Sequence, residues 1–219
     1  MTVLGLMTVI HAMPFLLSGA LRTIEVVVAA LLLGVVCGVA GGTAKLSRSR
    51  CLRRAAGVYV SVIRGTPFLV QLFFVYYGLP QLGVPVPAMV AAIGSLAIYS
   101  GAYQTEIVRG AIQSIDRRQS EAALALGLTP RQAMRLVVFP QALLRMLPPL
   151  GNEFVALTKN SALVSLVTVR ELFLSAQMVI SSTFQNFAIF LTIGILYYIM
   201  TTAVAALTRV TERRLSVYL

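Results

Sequence analysis

Residues 26–54 read Val26-Val-Val-Ala-Ala-Leu-Leu-Leu-Gly-Val-Val-Cys37-Gly-Val-Ala-Gly-Gly-Thr-Ala44, then Lys45-Leu-Ser-Arg48-Ser-Arg50-Cys51-Leu-Arg53-Arg54. The first part is uncharged and matches the roughly 20 apolar residues that a helix needs to cross a bilayer core of ~30 Å. The second carries five positive charges and no acid within ten residues, so the positive-inside rule places it in the cytoplasm. The bulk numbers agree. With 58% apolar and 11% charged residues and a mean hydropathy of +0.87, the chain lacks the polar surface of a soluble domain. The formal charge of +11 does not indicate a nucleic-acid partner, because the cations lie in short tracts between apolar segments rather than on one solvated face.

Working outward, a second apolar segment runs from Ala55 to about Leu79, with Arg64 inside it. Gly78-Leu-Pro80-Gln-Leu-Gly83-Val-Pro85-Val-Pro87 is a run of turn formers that ends it, on the outer side. A third crossing, Ala88 to Thr105, leads to a stretch with Arg109, Arg117, Arg118, Arg131 and Arg135, which is again cytoplasmic. A fourth crossing, Leu147 to Val169, contains Glu153 and Lys159, and the outer connection Arg170 to Asn186 reads as only partly helical. The fifth, Phe187 to Thr208, ends at Arg209, Arg213 and Arg214. The expectation is an all-α integral membrane protein, one domain over residues 1–219, with five transmembrane helices, N-terminus out and C-terminus in. Met1 to Leu17 is apolar without a basic start, which argues against a cleaved signal peptide and suggests a separate interfacial helix. Cys37 and Cys51 form no redox pair, and His11 is the single histidine, so no histidine-rich metal site is expected.

Ionisable groups at membrane depth are costly and call for a partner, a cavity or a function. Arg64, Glu153 and Lys159 are the candidates. Arg64 opens Arg-Gly-Thr-Pro-Phe-Leu-Val-Gln71, where Gly65 and Pro67 should break the helix, and broken helices recur at membrane substrate sites. Two readings are open: Arg64 lines a cavity, or it snorkels to the inner interface. Asn152, Glu153, Ala156, Lys159 and Asn160 fall at spacings that put them on one helical face, which serves either a polar pathway or interhelical hydrogen bonding.

The inner stretch carries two helix starts. Asp116 with Gln119 reads as one, and Thr129-Pro130-Arg-Gln132 combines an N-cap, an N1 proline and a capping-box Gln. Two short helices separated at Gly127 are expected. Ala122, Ala123 and Ala125 make the first thin enough for another protein to pack closely, whereas a merely solvated loop would not need them. No phosphate-cradling Gly-rich loop, His-Glu-x-x-His or Gly-x-Ser-x-Gly occurs. Nucleotide energy, if used, comes from another subunit.

The Glu121-Ala122-Ala123, Gly127 and Pro140 spacing resembles the inner-loop motif of ABC importer permeases. Tyr59-Val-Ser-Val-Ile-Arg64-Gly-Thr-Pro-Phe-Leu-Val-Gln71, Tyr76-Tyr-Gly-Leu-Pro80, Gly101-Ala-Tyr-Gln-Thr-Glu106-Ile-Val-Arg-Gly110, Pro140-Gln-Ala, Leu147-Pro-Pro-Leu-Gly-Asn-Glu153 and Lys159-Asn-Ser-Ala-Leu163 look like its polar amino-acid branch, covering residues 18–215. The resemblance implies a type I importer fold in a bacterial inner membrane. It also implies a second permease subunit, identical or sister, a cytoplasmic ATPase dimer holding ATP and Mg, and an external amino-acid-binding protein. This chain would bind no cofactor and catalyse no reaction. The implied substrate positions are Arg64, Thr66, Gln71, Ser100, Glu153 and Asn160, with Arg64 taking the α-carboxylate and Glu153 the α-ammonium. Glu121, Ala122, Ala123 and Gly127 would form the coupling element. Three departures stand out: Asn160 where many relatives have an acid, Tyr99 where Asn usually precedes Ser, and Arg118 where Gly usually precedes Gln. The first favours a neutral or acidic amino acid over a cationic one. Rival readings are an ion-coupled secondary carrier, disfavoured because five crossings do not divide into inverted halves, and a membrane scaffold, which would not need Arg64 and Glu153.

Overall fold

The computed structural model describes residues 3–215, and no strand occurs among them. The helices are α1 (Val3–Leu46), α2 (Arg50–Gly65), α3 (Phe68–Gln81), α4 (Ala88–Gln113), α5 (Arg117–Ala125), α6 (Pro130–Val167), α7 (Leu172–Thr183) and α8 (Asn186–Leu215). At 44 residues α1 is ~66 Å long, twice a bilayer core. The separate interfacial helix expected at residues 1–17 is therefore not separate. From Val3 on, it is the start of α1 and continues through Pro14 without a break. Packing explains the continuity: Val9, Leu16 and Ala20 are buried with Leu172 and Ala176 of α7 and Ala188, Ile189 and Ile193 of α8.

The opposite half of α1 lies against α4 through Gly34, Gly38, Gly41 and Gly42. A Cβ on Gly38 would stand 2.5 Å from Cβ of Gln104, and one on Gly41 2.2 Å from Oγ1 of Thr105. Small residues at such spacing let two membrane helices meet backbone to backbone, where dispersion and polar contacts replace the missing hydrophobic drive. The helix so approached, α4, is polar on its buried side, with Ser95, Ser100, Gln104 and Thr105 all buried. By length and apolarity, two helices among the described residues qualify as membrane spans alone, Gly5–Leu46 and Asn186–Arg214, and the bent pairs α2/α3 and α6/α7 qualify jointly. Enclosed by protein, α4 does not need the apolar surface that such a test measures.

The break foreseen at Gly65–Pro67 is present, and α3 turns 105° from α2. Pro67 forces Thr66 into extended backbone (φ −118°, ψ 145°). The carbonyls freed there are not left bare: the Gln71 side-chain amide donates to Ile63 O (2.8 Å) and Thr66 O (3.1 Å). Both inner helix starts also form as expected. Asp116 accepts from Arg118 N at 2.9 Å, Thr129 and Gln132 close a capping box, and Gly127 takes φ +86°.

The second inner helix, however, is not short. It is the first turn of α6, which continues past Pro140, Pro148 and Pro149 and tightens to 3-10 geometry over Ser161–Val167. A wider π turn at Met134–Val138 precedes Pro140; such a turn shifts the hydrogen-bond ladder and accommodates a residue that cannot donate. The crossing read as Leu147–Val169 is thus the far part of a longer rod. The outer connection holds more helix than expected: α7 is a 12-residue helix bent 52° from α6 after left-handed Thr168, with Glu171 capping Leu174 N at 2.9 Å.

Candidate functional site

Because the break ends α2 at Gly65, Arg64 sits exposed at the helix end, its guanidinium 4.9 Å from the centre of the Tyr103 ring. At this distance the cation is attracted to the π face. Tyr103 and Tyr99, four apart on α4, share a face, and their hydroxyls lie 3.2 Å apart. Tyr99 meets the Phe68 ring edge-on at 5.3 Å, with Asn160 of α6 beside it. The neighbouring Ser100 accepts from the Gln104 amide at 2.9 Å, and Glu153 of α6 lies near it. Glu153 is 8% exposed. One of its carboxylate oxygens, Oε1, has no partner, and Arg64 is close enough to act on it electrostatically.

One guanidinium and one carboxylate therefore flank an aromatic pair with two further hydrogen-bonding side chains. Among the described residues Arg64 has no ion-paired carboxylate. A guanidinium and a carboxyl group placed so, each outside any ion pair among the described residues, are complementary to the two ends of a zwitterion. Of the six positions expected, Arg64, Ser100, Glu153 and Asn160 converge here. Thr66 and Gln71 are occupied by the break itself: the Gln71 amide also donates to Thr66 Oγ1 (2.9 Å), and that hydroxyl donates to Val62 O (2.9 Å).

The single polar face expected on the fourth crossing is split. Neighbouring helical residues point 100° apart, so the Glu153/Asn160 stripe meets α4, while Asn152 and Lys159 are exposed on another side. Asn152 lines a cavity with Thr201, Thr208 and Arg209 of α8, and Lys159 one with Phe173, Phe190 and Tyr197. The sequence reading gave no site role to two groups. Tyr99 and Tyr103 were visible as an i, i+4 aromatic pair beside Ser100. Glu171, fully buried, accepts from Tyr197 Oη (2.7 Å), Thr23 Oγ1 (3.3 Å) and Leu174 N, pinning α1, α7 and α8 together. No sequence signal distinguished it from a loop residue.

On α5, Glu121 and Ala122 are exposed and Ala123 is buried. The alanine stripe is therefore two-sided, with Ala123 facing the protein where α5 packs on the first turns of α6. Leu126, 85% exposed, projects just before Gly127. Toward the C-terminal end of α4, one residue past the crossing read from sequence, Glu106 bonds Lys45 of α1 and Arg109. Burial pushes its carboxyl upward, but the two cations outweigh this and hold it below the ordinary range. Arg145 of α6 donates to Ser114 O at 2.5 Å and so caps the end of α4.

Residues 30–217 match the family described as binding-protein-dependent transport system inner membrane component. The chain belongs to this family. The permease is similar to the glutamine transport system permease protein GlnP of Escherichia coli K12, 37% identical over 208 residues that cover 94% of this chain and 95% of that one. It is also similar to the arginine transport system permease protein ArtQ of Bacillus subtilis 168, 34% identical over 94% of each. In a crystal structure of an amino acid ABC transporter with histidines, one chain is 40% identical, with a TM-score of 0.91 over 98% of this chain and 100% of that one. The inward-facing MetNI methionine transporter shares the fold alone, at 22% identity and TM-score 0.78 over 93% of this chain and 97% of that one.

This is a permease subunit of an amino-acid ABC importer, a multi-pass protein of the bacterial inner membrane with the type I importer permease fold. Family permeases carry no ATPase site and no cofactor; a partner subunit hydrolyses ATP. Membership also implies a binding protein and a second permease. Nothing in the comparisons supports an ion-coupled carrier.

Proposed function

We propose that residues 1–219 form one permease domain crossing the membrane five times, N-terminus out and C-terminus in, and that it passes a neutral or acidic amino acid. What supports the substrate assignment is the Arg64 guanidinium, in no ion pair among the described residues and set beside Tyr103, with the buried Glu153 carboxyl and its unpartnered oxygen near enough to feel its charge. Arg64 takes the substrate carboxylate and Glu153 the ammonium. Ser100 and Asn160 supply neutral hydrogen bonds, and Thr66 and Gln71 keep the broken helix open to the substrate. Asn160 adds no charge, so a cationic side chain finds no second carboxylate among the groups gathered there. Among the relatives, one is named for glutamine and one for arginine.

Energy enters through Glu121 to Gly127. ATP closes the partner ATPase dimer, the coupling helices are drawn with it, and two permease subunits, identical or sister, open outward to the loaded binding protein. The direct test reconstitutes the permease with its ATPase and binding protein and measures labelled uptake against competing glutamine, glutamate and arginine. Preference for arginine overturns the substrate class. Arg64→Ala should abolish uptake while the ATPase still co-purifies, and unchanged uptake removes Arg64 from the site. Orientation is read separately: Cys51 is exposed in the first basic tract, so a membrane-impermeant maleimide should label it only from the cytoplasmic side.

A further inference from the structure

Away from the substrate groups, a cavity of about 850 Å³ opens between the α1–α2 loop and the start of α6, lined by Arg48, Thr129, Pro130, Arg131 and Met134. Both arginines are exposed, and among the described residues neither has a carboxylate within ion-pair distance. The surrounding sequence deepens the charge, because no acid occurs between Glu25 and Glu106 or between Glu121 and Glu153. Arg48 is held in place: Arg53 donates to Ser47 O at 2.7 Å and to Arg48 O at 2.9 Å, fixing the backbone that presents it. The Thr129–Gln132 capping box already occupies the start of α6, so the guanidinia alone offer charge-assisted donors. The rest of the lining is largely apolar, Pro130 and Met134, the latter 42% exposed.

We infer that this cavity binds the phosphodiester head group of an anionic phospholipid of the inner leaflet. Two forked cations beside a largely apolar lining complement a ligand whose charged head is joined to acyl chains, and basic pockets between helices on the cytoplasmic side recognise such heads. The bound lipid would tie the α1–α2 loop to the helix that follows the coupling element. The inference rests on the inward orientation proposed above.

The test is native mass spectrometry of the permease–ATPase complex in detergent, titrated with phosphatidylglycerol against phosphatidylcholine. Selective retention of phosphatidylglycerol is expected, weakened roughly thirtyfold by Arg48→Gln with Arg131→Gln, given the contribution of each cation near an anionic surface. Arg48→Lys with Arg131→Lys should keep most of it. Retention unchanged in the Gln pair overturns the site. So does displacement of the lipid by inorganic phosphate, which points to a free-anion site, or loss of ATPase assembly with lipid binding intact, which points to the ATPase as the occupant. The titration does not depend on orientation, so failure of the topology, read by Cys51 labelling, is told apart from failure of the lipid site.

Discussion

Gly38→Ala tests whether α1 and α4 meet as closely as the structure places them. The new methyl would stand 2.5 Å from the Cβ of Gln104 and 3.1 Å from its carbonyl carbon. Neither atom is the far end of a flexible side chain, so the helices themselves must separate. Overpacking of this kind costs roughly 1–3 kcal/mol. Alanine in place of glycine inside a helix returns about 1 kcal/mol, so the variant should be destabilised by about 0–2 kcal/mol. Gly57→Ala is the matched control, because it brings the same propensity gain within α2 but nothing lies within 4 Å of the added carbon. The difference between the two variants isolates the crowding, about 1–3 kcal/mol, on the order of 2–4 °C in melting midpoint per kcal/mol for a chain of this length. The assay is thermal denaturation of the purified transporter, followed by loss of the monodisperse fraction. Should Gly38→Ala and Gly57→Ala melt together, the close α1–α4 contact is wrong, and with it the account of why the buried polar side of α4 is tolerated.

Glu121→Lys reverses the exposed charge of α5, the proposed coupling helix, and should weaken ATPase co-purification by more than about tenfold, with uptake lost; normal assembly and uptake would remove Glu121 from the joint. Gly34→Ala places a methyl 2.8 Å from the Gln104 amide nitrogen that bonds Ser100, so KM for uptake should rise with ATPase assembly unchanged. Glu171→Ala strands the Tyr197 hydroxyl and Leu174 N, at about 1–3 kcal/mol for each group left unsatisfied, and should lower the melting midpoint well below that of Glu171→Gln. The carboxyl of Glu106 lies lower in the folded than in the unfolded chain. Its contribution is therefore fully present above the ordinary value of 4.5 and is lost as pH falls through the folded value; a melting profile of Glu106→Gln should lack this acid-side decline.

What the sequence disclosed was local chemistry. Pro67 acts on its own neighbours, so the break between α2 and α3 could be placed to the residue, and the same holds for the Asp116 cap, the Thr129 capping box and the left-handed Gly127. Errors arose where a local signal was overruled from a distance. The Thr129 start read as a short helix separate from the Leu147 crossing, yet a π turn ahead of Pro140 lets α6 run on through it. Spacings of three, four and seven grouped Asn152 through Asn160 on one face, but a 100° step between neighbours was enough to send Glu153 to α4 and Asn152 to α8. Gly34, Gly38 and Gly42 formed a legible small-residue repeat whose partner only the fold could name. Tyr99 was legible only as a departure from the family pattern, Tyr103 only as part of a motif and Glu171 only as part of a connection, because a hydroxyl or carboxylate declares its role only through the atoms that meet it.

The continuity of α6 bears on how force reaches the substrate. Two short inner helices followed by a separate crossing would have left a flexible joint between the coupling element and the polar groups. Instead Thr129, two residues beyond Gly127, caps a helix that carries Glu153 and Asn160 without an intervening loop. About 23 helical steps separate Pro130 from Glu153, a rod of ~35 Å. α5 is seated on its first turns through buried Ala123 and through Gln141, whose amide donates to Gln119 at 3.5 Å. A pull on α5 is thus applied to the same helix that holds the carboxylate. The opposing guanidinium sits on α2, across the 105° break and outside that rod, with Tyr103 beside it on α4. Moving one element against the other changes the separation of Arg64 and Glu153, and under the proposed assignment that separation would decide whether a zwitterion is gripped or released.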